Sequence, residues 1–457
     1  MNKNIITVVC LAMAFMMLLS ACGGGATTAG TTAAATTTAA AAAAETTAAQ
    51  TQADSASAQE GQTPILFWFP HGGSPDKETL EGMVDDFNVK YPEYIATGEY
   101  IGSSGAGVGM TDKLMTAIAG GNPPDVVLFD RFMVGQWASQ ALFEDITSEA
   151  SAAGVVPDLF YDFAWQEASL EGKLYAMPFD TDNRALYYNI DMLSEAGFEP
   201  PKTIAEMDEI ADALTIKEGN RYSRFGLIPW LSQGFLYTWG AAFGGKFQDE
   251  ETGKITFDDP KIVEALEWMV TYATKYGIES ITDFTNATSG SDINPFAGEL
   301  VAMYVSGPWE ISGFKLKVPD LNYGVVPIPT PTGTGYTCMA GGWSMIIPVG
   351  TKVKPAAFAL AKYLTVEEGG IRYGEDTTHF MCKVDINENL SWVKNEPIFN
   401  VFIELFPTSF CRPVIPKGQL LWDEQMTAQD NALNKVDTPL NLLKAMTDKV
   451  NAELGYN

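Results

Sequence analysis

Leu114-Met-Thr-Ala-Ile-Ala-Gly120-Gly-Asn-Pro-Pro-Asp125-Val-Val-Leu-Phe-Asp130-Arg131 contains a helix, its stop signal and a buried strand in succession. The helix around Thr111 to Ala119 ends at Gly120-Gly121-Asn122-Pro123-Pro124, since glycine and proline both interrupt a helical ladder. Asp125 to Phe129 is a short apolar run of strand length. Upstream, Pro64-Ile65-Leu66-Phe67-Trp68-Phe69 reads as a first buried strand. After it, Ser74-Pro75 opens a helix with Leu80, Met83, Val84 and Phe87 on one face. A strand, helix, strand rhythm predicts an α/β protein with largely parallel sheets.

The same rhythm continues downstream. Thr203 with Glu206 spells a capping box before Ile204, Met207, Ile210, Ala211 and Leu214. Asp259-Pro260 opens another helix, and Gly277 is its expected stop. Val301 to Val305 and Met345 to Pro348 read as strands. Lys354-Pro355 and Thr438-Pro439 open the last two helices considered. No short internal repeat is present, which excludes a solenoid.

Composition narrows the function. Of 457 residues, 28 are Lys or Arg and 57 are Asp or Glu, for a net charge of −29. Such a chain lacks the cationic clusters that nucleic acid or an anionic membrane surface requires. Only two histidines occur, His71 and His379, so a histidine-rich metal centre is excluded. Gly102 to Gly109 is rich in glycine but matches neither G-x-G-x-x-G nor a P-loop, and reads as a loop leading into a helix. No G-x-S-x-G or H-E-x-x-H is present. Carboxylates abound, yet no spacing singles out the acid pair of a glycosidase.

The N-terminus reads as an address. Lys3 precedes an apolar run from Ile5 to Leu19, shorter than the roughly 20 residues of a membrane-spanning helix. Leu19-Ser20-Ala21-Cys22 resembles the lipobox of bacterial lipoproteins, which implies a signal peptide over 1–21 and lipid on Cys22. Residues 22–63 then form an Ala/Thr-rich tether with no apolar stripe to bury. Cys338, Cys382 and Cys411 remain in the body. Two readings stand, a Cys382–Cys411 pair or three free thiols, since an odd number allows one disulfide at most.

Tryptophans recur beside glycine, proline or acid: Trp68, Trp230, Trp239, Trp309, Trp343 and Trp422. An apolar sugar face stacks on such rings while its hydroxyls need carboxylate, amide or guanidinium partners. Core packing is the competing reading for each ring.

Asp125 to Arg131, followed by Ala141-Leu-Phe-Glu-Asp-Ile-Thr147, carries a resemblance to family 1 extracellular solute-binding proteins of the maltodextrin-binding type. Supporting pieces are Gly172-Lys-Leu-Tyr-Ala-Met-Pro178, Leu186-Tyr-Tyr-Asn189, Phe296-Ala-Gly-Glu-Leu-Val-Ala-Met303, Gly307-Pro-Trp309 and Tyr323-Gly-Val-Val-Pro327. The resemblance implies a two-lobed periplasmic-binding-protein-like fold of type II. Each lobe would be a mixed, mainly parallel sheet flanked by helices, with the ligand cleft between lobes. Lobe one would take 64–178 and a return segment 328–350, and lobe two 179–327 and 351–457. Crossings would fall at Tyr175 to Tyr188, Tyr323 to Pro329 and Pro348 to Pro355.

The resemblance further implies a lipid-anchored, extracellular subunit of an ABC importer that captures a saccharide. Its partners would be permease subunits with their ATPase, acting on a monomer that needs no cofactor or metal and touches the membrane only through its lipid. Ligand contacts would come from Asp130 and Arg131, from Asp180 or Asp182, and from Trp309 and Trp422. Trp68 to His71, Trp230, Gly342 and Trp343 join them as candidates. Pro70-His71-Gly72-Gly73 lacks the family's acid-lysine pair. Two other readings stay open: the same scaffold with a glycerol phosphoester or peptide, and a secreted carbohydrate-active enzyme.

Overall fold

Ten strands and nine helices carry the parts of the chain that matter for the site. The structure is a computed structural model and describes residues 61–102 and 108–456. The signal peptide, Cys22, nearly all of the tether and residues 103–107 of the glycine-rich stretch lie outside the described residues. In chain order the strands are β1 (Thr63–Phe69), β2 (Tyr94–Tyr100), β3 (Val126–Asp130), β4 (Ala176–Pro178), β5 (Ala185–Asn189), β6 (Ile216–Glu218), β7 (Arg221–Leu227), β8 (Val301–Ser306), β9 (Tyr323–Val326) and β10 (Trp343–Ile346). The helices are α1 (Asp76–Lys90), α2 (Val108–Ala119), α3 (Ile204–Leu214), α4 (Pro260–Tyr276), α5 (Trp309–Lys317), α6 (Lys354–Val366), α7 (Glu368–Thr377), α8 (Gly418–Leu433) and α9 (Pro439–Glu453).

The strands form two sheets, one per lobe. The first has the order β2-β1-β3-β10-β4 and the second β9-β5-β8-β7-β6. Val126 to Phe129 is buried on both faces, which a continuous apolar run demands and an alternating one does not. Local signals place the helices: Thr203 and Glu206 close a capping box on α3, while Asp259 and Thr438 cap α4 and α9 ahead of proline. α1, α6 and α7 cover the first lobe; α3 packs on β7 and β8, and α4 on α8 and α9.

Three expectations need correcting, and one open reading is decided. β1 pairs in parallel with β2 and β3, but β10 runs antiparallel to β3 and β4; in the second sheet only β7 and β8 are parallel. The sheets are mixed as expected but not mainly parallel, because strands entering from the crossings run against the others. The helices at 354–377, assigned to lobe two, pack against β1, β3, β4 and α1 of lobe one. Consequently no crossing occurs at Pro348 to Pro355; the third follows Thr377, where Phe380–Met381 pairs with Asp180–Thr181. Finally, Cys338, Cys382 and Cys411 are all free. The Cys382 thiol donates to the Asp180 carbonyl at 2.9 Å, while Cys411 faces the Gln166 side chain at 3.9 Å. Burial pushes the Cys382 thiol up to about 12.

Candidate functional site

Strand direction gathers the candidate residues at two edges. β1 and β3 are parallel, so His71 and Asp130, which follow or end them, lie at one edge of the first sheet. β10 starts at that edge with Trp343 opposite Asp130, and Ser344 opposite Pro178 brings Asp180 there too. In the second sheet β7 and β8 end beside Trp230 and Trp309. β5 begins opposite Ser306, which places Asp182 and Arg184 at the same edge. Residues 179–184 and 327–342 run from one sheet to the other and meet in a bridge between Asp182 and Gly341. Carboxyl ends of strands are where open α/β sheets hold ligands.

Arg131 does not face this edge. Its side chain is 0% exposed. Nε donates to Glu167 Oε2 at 3.0 Å, Nη1 to the Asp180 carbonyl at 2.8 Å and the Trp343 carbonyl at 3.3 Å, and Nη2 to the Gly341 carbonyl. The guanidinium pins both crossing segments together and has no face left for a ligand, which corrects its expected role. Asp130 is half-buried, and one carboxylate oxygen accepts from the Phe132 N–H at 3.0 Å.

Asp180 is buried as well. Its Oδ1 accepts the Trp343 N–H at 2.7 Å, and burial raises its pKa to about 6. Trp343 is half-buried with its ring 4.7 Å from the His71 ring, edge to face. His71 Nδ1 lies 3.1 Å from the Tyr373 hydroxyl, and burial holds its pKa down to about 3. Between the two acids considered for the first crossing, Asp182 keeps the more exposed carboxylate. It accepts from the Gly341 N–H at 3.0 Å and pairs with Arg184. Gly342 adopts φ +123, and a Cβ there would collide with the Asp180 carbonyl, so only glycine fits this approach.

Two half-buried tryptophans mark the opposite side. Trp309, at the start of α5, has the Arg184 guanidinium 5.6 Å from its ring centroid; Arg184 also donates to Gln233 Oε1 at 3.2 Å. Trp422, in the first turns of α8, packs 5.1 Å from Phe235 and 6.3 Å from Phe132. Arg412 lies over Phe132 at 4.2 Å, with Nη2 3.7 Å from Asp130 Oδ1. Rings, a carboxylate and a guanidinium thus stand together where the lobes approach. Trp230 is half-buried just beyond β7. Trp68 is not at the edge: it is 7% exposed, donates to Glu99 and lies beneath Lys113. Trp239 is wholly buried and donates to the Pro229 carbonyl.

Residues 82–382 match the family described as bacterial extracellular solute-binding protein. The chain belongs to that family. Among similar proteins, the maltodextrin-binding protein MdxE of Bacillus subtilis is 27% identical over 311 residues, 66% of this chain and 70% of its own. A maltooligosaccharide ABC transporter solute-binding lipoprotein of Streptococcus pneumoniae is 23% identical over 400 residues, 81% of this chain and 89% of its own. The solved structure of CpMnBP1 with mannotriose bound aligns at TM-score 0.74 and 26% identity, covering 85% of this chain and 100% of that one. The GacH receptor of Streptomyces glaucescens, at 23% identity, covers 86% and 99% with TM-score 0.70 and supports the fold.

In this solute-binding protein a cavity of about 810 Å³ lies beside, and not among, the candidate tryptophans. Trp165, Gln166 and Ser169 form one wall, Phe247 and Phe410 another, and Arg412 alone is shared with the ring cluster. Sequence reading missed Phe132, Phe235, Arg184 and Arg412. Arg412-Pro413 carries no local motif, and it is 282 positions from Asp130; no signal short of the fold joins them. Phe132 was within reach, being next to Arg131.

Proposed function

We propose that this solute-binding protein captures an uncharged saccharide between its lobes and delivers it to an ABC permease. The observation that carries the reading is the interleaving of Trp422, Phe132 and Phe235 with the Asp130 carboxylate and the Arg412 guanidinium, facing an edge that bears Trp309, Arg184 and Asp182. Ring faces suit the apolar faces of a pyranose, and the charged groups exchange hydrogen bonds with its hydroxyls. A ligand touching both lobes stabilises their closed arrangement by its differential affinity for it. The names of the relatives, which bind maltodextrin, maltooligosaccharide and mannotriose, support the same class.

Charge argues for a neutral ligand. Arg131 and Arg412 share Glu167, Arg412 is near Asp130, and Arg184 pairs with Asp182. A phosphoester calls for converging cations that are not already neutralised, so the glycerol phosphoester reading is the weaker one. Binding without chemistry fits the family, and we take the saccharide to be released intact. Cleavage and acylation at Cys22 would tether the monomer to the outer face of the cytoplasmic membrane, within reach of permease subunits powered by their ATPase. Among the described residues no helix is long and apolar enough to cross a membrane.

A thermal-shift screen against neutral mono- and oligosaccharides tests this reading, since a ligand that binds only the folded state raises the midpoint by mass action. A concentration-dependent rise with the saccharide recovered unchanged is the expected result. No rise with any of them would overturn the reading; cleavage products would favour the enzyme.

A further inference from the structure

We infer that Arg412, held in place by Glu167, is the cation that recognises the saccharide, in the role the sequence suggested for Arg131. This rests on the saccharide reading above. Arg131 spends its guanidinium on Glu167, on the carbonyls of Asp180, Gly341 and Trp343, and against the Cys382 sulfur at 3.1 Å. Among the described residues Arg412 has one hydrogen bond, from Nε to Glu167 Oε1 at 3.3 Å. Its Nη2 stands 3.7 Å from Asp130 Oδ1, an ion-pair separation longer than a hydrogen bond. Both terminal nitrogens therefore keep N–H groups to offer, and neither is among the buried atoms that lack a partner. Arg412 is 9% exposed, and the open space it is seen to line is the cavity beside Trp165 and Phe247, next to the ring cluster.

The surroundings define what those donors meet. Phe132 lies under the guanidinium plane at 4.2 Å and Trp422 stands 6.3 Å from Phe132. A sugar ring stacked on Trp422 would present vicinal hydroxyls to a planar fork of donors on one side and to the Asp130 carboxylate as acceptor on the other. An anionic sugar would meet Asp130 unfavourably, so the pair selects for a neutral one. Glu167 is 1% exposed and binds Arg131 through Oε2 and Arg412 through Oε1. The carboxylate thus ties the reading cation to the arginine that pins the crossing segments. Glu167 is a positioning residue; Arg412 touches the ligand.

Calorimetric titration with maltotriose and mannotriose tests the assignment on wild type, Arg412→Lys, Asp130→Asn and the double variant. Lysine keeps a charge beside Glu167 and removes the planar fork. The inference expects Arg412→Lys to weaken binding at least tenfold with little change in the unliganded midpoint, and the two substitutions to be non-additive. A merely structural Arg412 would instead lower the midpoint and leave Kd within twofold of wild type, which overturns the inference alone. Additive effects would overturn it too. Wild type that binds neither trisaccharide removes the saccharide reading and the inference together.

Discussion

At the residue scale the site depends on whether a side chain is free or already committed. Asp130 and Arg131 are adjacent in sequence, yet one is half-buried at the edge and the other is enclosed by five acceptors from four segments. Sequence carries the residue types but not the surrounding acceptors, so the pair was legible and its division of labour was not. Trp309 is half-buried with Arg184 over its ring, so a saccharide would share that ring with the guanidinium. Trp309→Ala should cost about 2 kcal/mol of binding, roughly thirtyfold in Kd, with the unliganded midpoint nearly unchanged; a large fall in that midpoint would make the ring core. Titration offers a second check. Asp180, raised from 3.8 to about 6, favours the folded state below pH 4, and that contribution is lost as pH rises through 6. His71, lowered from 6.5 to about 3, acts oppositely: its contribution is present above pH 6.5 and lost as pH falls. Between pH 4 and 7, the midpoint of Asp180→Asn relative to wild type should therefore rise with pH, and that of His71→Gln should rise as pH falls. Parallel curves for either variant would contradict its assignment.

At the scale of elements, local chemistry was the readable part. The Thr203–Glu206 box, the Asp259-Pro260 start and the buried run ending at Phe129 each carry their own instruction. What local chemistry does not encode is partnership. The apolar face of α6 fits either sheet, and only the contacts show that it covers the first. The same limit hid the position of the third crossing and left the cysteine pairing open. The crossing segments themselves are tightly specified, because Gly342 lies against the Asp180 backbone at φ +123. Gly342→Ala combines a conformation disfavoured for L residues, worth about 1–3 kcal/mol, with a steric overlap against backbone that has little room to yield. Chemical denaturation should show a loss of at least that size. A variant as stable as wild type would mean the crossing yields easily, and the Arg131 anchor would then lose its purpose.

At the scale of the molecule, two mixed sheets are joined by crossing segments at the edges that carry the candidate residues, and the family assignment follows from the chain as a whole rather than from any one motif. The two-lobed α/β architecture was legible because many weak signals fell in the right order. The proposed ligand-facing surface was less so, since it would be assembled from His71, Asp130, Arg184, Trp309, Arg412 and Trp422, which come from both ends of the described chain. The structure of the protein with its best-bound neutral oligosaccharide tests the central claim most directly. One intact saccharide is expected between the lobes, stacked on Trp422 and hydrogen-bonded to Asp130 and Arg412, with Trp309 closing from the other side. A saccharide seated instead in the cavity beside Trp165 and Phe247, with Trp309 and Trp422 left bare, would contradict it.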